Sequence, residues 1–168
     1  MLMSTTRNAR SSAPINKKHI FLGGTCNGST WREELIPLLD PSRITCYNPV
    51  VSEWTEAHQL IERREREECN VCLYVITPRM VGVYAIAEAV DDSNKRPEKT
   101  VFCFLEIDSD GTVVKKSDTQ KEEKATNECR FDQRQVASLN AVGTMVECNG
   151  GVWVRGGLNE LAIYLNAT

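Results

Sequence analysis

No apolar run in this chain reaches the roughly 18 residues that a bilayer crossing needs, which excludes a membrane span. An excess of positive charge is missing too. Lys and Arg number 20 against 23 Asp and Glu, and the formal charge of −3 offers no basic patch for a nucleic acid polymer. Histidine is scarce, with His19 opening a strand pattern and His58 on a charged helix, so neither is placed for catalysis. The phosphate-binding signatures are absent as well. The loop GGTCNGS from Gly23 is neither G-x-G-x-x-G nor a P-loop, and no acidic residue closes the second strand to hold a ribose, so no Rossmann cofactor is expected. Cysteine is plentiful at seven, but Cys46, Cys72 and Cys103 fall inside apolar strands, where a reduced thiol packs as a small hydrophobe. Cys69 and Cys72 make one C-x-x-C with neither a second pair nor a histidine cluster. Core thiols are therefore preferred over a metal or redox centre, and a reducing, cytoplasmic setting is expected.

What is present is an ordinary globular composition, 41% hydrophobic and 26% charged over 168 residues, enough for one domain with a sizeable core. The Ser/Arg-rich, acid-free residues 1–17 read as a disordered tail, and 18–168 as the domain. Its centre is the stretch Cys69 to Asp92. Val71–Ile76 is a continuous apolar run of strand length, as expected when both faces of a strand are covered. Thr77–Pro78 stops it, and after a short loop Val83 to Asp92 reads as a helix with Val83, Ile86, Ala87 and Val90 inward.

Before it, His19–Leu22 is a strand running into the glycine loop. Thr30 with Glu33 can box the start of a helix from Trp31 to Ile36, and Ile44–Tyr47 is a second strand. Thr55 caps a helix through about Glu68 with Ala57, Leu60, Ile61 and Arg64 inward and its charge-alternating remainder in solvent. After it come a strand from Thr100 to Leu105 and a polar insertion over 106–127, in which Asp110–Gly111 signals a hairpin between Ile107 and Val113–Val114. A long helix from Phe131–Asp132 to Asn149–Gly150, a strand at Val152–Val154 and a closing helix over Leu158–Leu165 complete the order. Alternating β and α elements imply a parallel sheet with helices on both faces. The expected fold is an α/β three-layer sandwich, flavodoxin-like or more broadly Rossmann-like, with strand order 2-1-3-4-5 and a β-ribbon insertion after strand 4.

In that order the loops after strands 1 and 3 open on one crevice, which is where a ligand is expected. Gly23, Gly24, Thr25 and Asn27 let backbone approach a small polar ligand, or simply make a tight turn. Glu88, four residues after Tyr84 and off the inward stripe, is a candidate nucleophile or acid/base, or else a solvated helix residue. Asn48 either bonds a ligand or forms an Asx turn before Pro49. Trp31 and Trp54 either stack a flat base or belong to the core.

The segments IFLGGTCNGSTWREELIPLL, YNPVV-x-EW, NVCLYVITPRMVGVYAIAEAVDDS and KTVFCFL resemble the nucleoside 2-deoxyribosyltransferase-like proteins, in their divergent second branch. The resemblance spans about Ile20 to Leu105 and implies a homo-oligomer that binds a nucleoside or nucleotide. It also implies that a glutamate on the helix after strand 3, here Glu88, attacks the anomeric carbon without cofactor or metal. Gly82, Tyr84 and Asp92 lie in the matched stretch and are carried over as ligand-binding positions. In register, Ile86 stands where the enzyme motif has its glutamate, and Glu88 lies two residues on, roughly 200° around a helix. Thr77, Pro78 and Arg79 stand where an aspartate is expected, and Arg79 favours an anionic ligand such as a nucleoside phosphate. A non-catalytic nucleotide-binding module on the same fold is the rival reading.

Overall fold

Apolar side chains alternate across the central strands, and the helices on each side cover one set. The computed structural model describes residues 17–26, 28–53, 55–109 and 128–168. Strands β1 (Lys18–Gly24), β2 (Ile44–Tyr47), β3 (Val71–Ile76), β4 (Thr100–Phe104) and β7 (Val152–Trp153) form one sheet in the order β2-β1-β3-β4-β7. Every pairing is parallel, with Leu22 beside Leu73 and Val75 beside Cys103. Counted within the sheet this is the order 2-1-3-4-5, and the architecture is the expected α/β sandwich.

Ile20, Leu22, Leu73, Val75, Val101 and Cys103 point to one face, where α1 (Trp31–Leu35) and α5 (Leu158–Ala167) cover them with Trp31, Leu35, Leu161 and Leu165. Phe21, Cys72, Tyr74, Ile76, Phe102 and Phe104 point to the other, under α3 (Tyr84–Lys95) and α4 (Gln133–Cys148). A period of two on doubly covered strands explains why their sequences read as unbroken apolar runs. Asp132 caps α4 by accepting from the Arg134 and Gln135 amides, both at 2.8 Å. No helix among the described residues is long and apolar enough to cross a membrane.

Four local expectations are corrected. In α2 (Glu56–Glu68) no side chain is fully buried, and Leu60 and Ile61 are 64% and 45% exposed. That helix instead turns Glu65 and Arg66 inward, because the groups it meets are His19, Glu88 and Asp92 rather than an apolar surface. In α3 the buried residues are Ala89, Asp92 and Ser93; Ile86 packs against the core as expected, together with Ala85, whereas Ala87 is exposed. Val83 is the 69% exposed residue before the helix, and Asp92 lies well inside it rather than at its end. Thr30 bonds Glu34, not Glu33, at 2.6 Å and makes no side-chain cap bond. The ribbon pairs β5 (Ile107–Ser109) antiparallel with β6 (Glu128–Arg130), so the partner of Ile107 is Arg130 rather than Val113–Val114. Residues 1–16 of the expected tail, Asn27, Trp54 and the hairpin at Asp110–Gly111 lie outside the described residues.

Candidate functional site

The connections from β1 and β3 leave toward opposite faces, β1 into α1 and β3 into α3, and their divergence opens a cleft at the carboxyl edge of the sheet. The cleft has a volume of about 360 Å³. Its walls come from Gly23–Cys26, from Val50 and Val51 beyond β2, and from Met80, Val81, Gly82 and Tyr84, with Glu88 inside. Its floor depends on two glycines. A Cβ on Gly23 would sit 2.7 Å from the Tyr74 ring. Gly24 has φ +118°, and a Cβ there would fall 2.0 Å from the Val75 carbonyl oxygen. Gly82, by contrast, has open space around it. A second cleft of about 480 Å³ lies beyond β4 and β7, where Arg155 stacks 3.7 Å over Trp153, and among the described residues it holds no comparable network of buried charges.

Glu88 reaches the cleft because the inward stripe of α3 runs through Ala85, Ala89 and Asp92, which puts residue 88 at its shoulder. One carboxylate oxygen, Oε1, accepts from Arg66 Nη1 at 2.7 Å. The other makes no hydrogen bond among the described residues. Arg66 crosses from α2, its side chain 11% exposed, and also donates to both oxygens of Asp92, from Nε at 3.0 Å and Nη2 at 2.6 Å. Asp92 is fully buried and further accepts from the Tyr74 hydroxyl and from Arg96 at 3.0 Å. Burial outweighs the Arg66 guanidinium at Glu88 and, with Glu62, Asp92 and Asp91 nearby, pushes its carboxyl up to about 7. At Asp92 burial acts in the same upward direction, but the bonds from Arg66 and Tyr74 prevail and hold the carboxyl below its ordinary value. Two acids on one helix therefore differ in proton affinity.

The glycine loop is held from beneath. Arg32, 2% exposed, donates to the Leu22 carbonyl at 2.9 and 3.0 Å and to Thr25 at 2.7 Å, while Trp31 Nε1 donates to Thr25 at 2.9 Å. Thr25 Oγ1 accepts from the Thr77 amide at 2.9 Å, tying the two loops together across the switch point. Thr77 Oγ1 in turn donates to buried Asp108 at 2.8 Å, and Arg79 Nε lies 3.6 Å from the same carboxylate.

The structure thus gathers Gly23, Gly24, Thr25, Gly82, Tyr84 and Glu88 around one cleft. Trp31 is fully buried on the opposite face of the sheet, and Asp92 lies beneath the cleft, connected to it through Arg66. Asn48 makes the Asx turn, its Oδ1 accepting from the Val50 amide at 3.1 Å. Arg79 faces Asp108 rather than the cleft. Arg66, Arg32, Glu62 and Asp108 were missing from the sequence reading. The charge run around Arg66 looked like a solvated face, and Asp108 sits in a polar insertion with no signal of burial. Among the described residues no group of three or more His, Cys, Asp or Glu is placed to hold a metal.

A family model described as "Nucleoside 2-deoxyribosyltransferase like" matches residues 17–106, the segment from β1 through β4 that carries the cleft. No curated protein matches the chain at a significant level.

Proposed function

The chain belongs to the nucleoside 2-deoxyribosyltransferase-like family, and on that footing we propose that it cleaves the N-glycosidic bond of a nucleoside with Glu88 as nucleophile. The observation that carries this reading is the asymmetry of Glu88, a cleft-lining residue with one oxygen anchored by Arg66 and the other without a hydrogen bond among the described residues. The free oxygen attacks the anomeric carbon as the bond to the base breaks. The base takes the electron pair and a proton from solvent water at the cleft, and a glycosyl ester on Glu88 results. A second base or water then displaces the carboxylate, completing transfer or hydrolysis. Arg66 positions the attacking group and stabilises it as leaving group in the second step. The carboxylate supplies the covalent chemistry, so the proposal needs neither cofactor nor metal.

Backbone at Gly23, Gly24 and Thr25 would meet the sugar, and Tyr84 with Met80 and Val81 the base. An unphosphorylated nucleoside suits this cleft better than a nucleotide. Glu62 and Glu88 line it, no Lys or Arg does among the described residues, and Arg79 faces Asp108. We further propose that the protein works as a homo-oligomer, since Leu60, Ile61, Val83 and Tyr84 leave apolar surface beside the cleft mouth that a second copy would cover. The seven free cysteines fit a reducing cytoplasmic compartment. The grip of Arg66 on Glu88 also suits a binding module that senses a nucleoside without turning it over.

Incubation with a 2′-deoxynucleoside and a second free base separates these readings. The enzyme releases or exchanges the base, and Glu88→Ala abolishes it. A 2-fluoro nucleoside should leave a covalent adduct on Glu88 in mass spectrometry, and an adduct on any other residue refutes the assignment. Ligand binding without turnover, unchanged in Glu88→Ala, would establish the module instead.

A further inference from the structure

Beneath Arg66 lie two groups that the proposed chemistry does not use. Cys69, the residue that ends α2, and Cys72, in β3, are both fully buried, with their sulfurs 3.3 Å apart. A disulfide needs about 2.05 Å, so joining them takes a closure of little more than about 1 Å. Both sulfurs converge on the backbone carbonyl of Arg66, Cys72 at 3.2 Å and Cys69 at 3.6 Å. The Asn70 amide that would complete the helical bond to that carbonyl donates to His19 instead, so the thiols serve as its donors. The side chain of the same residue holds Glu88 and Asp92. Arg66 thus has the thiol pair at its backbone and the cleft carboxylate at its guanidinium.

We propose that Cys69 and Cys72 form a dithiol–disulfide switch: oxidation joins them, strips the Arg66 carbonyl of its thiol donors and loosens the hold of Arg66 on Glu88. The oxidant is a low-molecular-weight disulfide. The Cys69 thiolate attacks it and expels one thiol, and the Cys72 sulfur then displaces the second, losing its proton. Two S–H bonds and one S–S bond are exchanged for the Cys69–Cys72 bond and two new thiols, so atoms and electrons balance. The pair is polarised for this order of events. As Cys69 ionises, the Cys72 S–H turns from the Arg66 carbonyl to the Cys69 sulfur; that bond holds the Cys69 thiol down to about 7, while it and burial push Cys72 up. Access comes from the C-terminal end of α2, where Glu67 and Glu68 are exposed on the residues that lead into Cys69. The inference concerns the carboxylate and its anchor, so it stands whether or not a nucleoside is turned over.

The test uses the full chain equilibrated in reduced or oxidised glutathione, with two readouts on each sample. Peptide mapping should find Cys69 and Cys72 joined, with the loss of two hydrogens, in the oxidised sample. Carbon-13 NMR of the Glu88 carboxyl should show its titration midpoint moving upward by about one unit, tenfold in proton affinity, as its cation withdraws. Cys69→Ser and Cys72→Ser should each abolish the redox dependence of that midpoint, and either variant suffices if the other fails to fold. Glutathione attached to Cys69 or Cys72 without a bond between them, a pair that stays reduced, or a disulfide that leaves the Glu88 midpoint unmoved would each overturn the proposal.

Discussion

Replacing Arg66 by methionine keeps much of the length and apolar stem of the side chain but removes three charge-assisted bonds to two carboxylates. The guanidinium and Asp92 are 11% and 0% exposed, so solvent screening offers little relief. Breaking a buried pair from one side costs about 3–5 kcal/mol, because the partner charge is left desolvated. For a domain of this size that is a fall in Tm of roughly 6–20 °C. Arg96 still reaches Asp92 at 3.0 Å, which places the expected loss toward the lower half of that range. The acid limb of stability provides a second signature. Asp92 is held below its ordinary value, so it stabilises the fold above its unfolded pKa, near 3.9, and that contribution is lost as pH falls through the folded value. Arg66→Met should flatten this dependence, whereas Arg66→Met with Asp92→Asn should recover part of the lost stability and depart from additivity by about 0.5–3 kcal/mol. Thermal unfolding followed by circular dichroism across pH measures all three effects. A single-variant Tm within about 2 °C of wild type would show that α2 does not hold this network, and the anchoring role given to Arg66 would fail with it.

Gly24→Ala should be far more damaging than Gly82→Ala, since the first places a Cβ 2.0 Å from the Val75 carbonyl and the second meets nothing within 4 Å; relative yield and Tm of the two proteins decide it. Base exchange should rise roughly tenfold between about pH 6 and about pH 8 as Glu88 ionises, because the attacking form is the carboxylate and burial has pushed its carboxyl up to about 7. A kcat/KM profile flat across that interval would remove Glu88 as the titrating nucleophile. Leu60→Glu combined with Ile61→Glu should lower the solution mass by light scattering and remove any dependence of Tm on protein concentration, while leaving the single chain folded by circular dichroism, since both side chains are exposed in it.

The strands were legible because parallel, doubly covered strands must be continuously apolar, and Val71–Ile76 or Thr100–Phe104 admits few other structures. The place of the cleft followed from strand order alone. What escaped the sequence were the helices whose inner faces are charged. A periodicity argument assigns Leu60 and Ile61 to the inside of α2, yet ion pairs to Glu88 and Asp92 reward Arg66 for taking that place, and no local pattern reports a partner 22 or 26 residues away. The register of Glu88 was obscured in the same way. Counting from Gly82 favoured Ile86, but α3 begins only at Tyr84, and its inward line through Ala85, Ala89 and Asp92 carries Glu88 to the cleft. Trp31 illustrates the converse, an aromatic beside the glycine loop that is buried on the far face.

The ribbon has a practical corollary for protein engineering. Ser109 and Glu128 are paired residues of neighbouring antiparallel strands, so the two ends of the connection between them are adjacent. Residues 110–127 are thus a natural socket: a two-residue Asn-Gly turn could close the gap, and a reporter domain or affinity tag could be spliced in, without rethreading any strand of the main sheet. Asp108 lies just before the splice and would have to stay, because its carboxylate bonds Thr77 and thereby steadies the rim to which the glycine loop is moored.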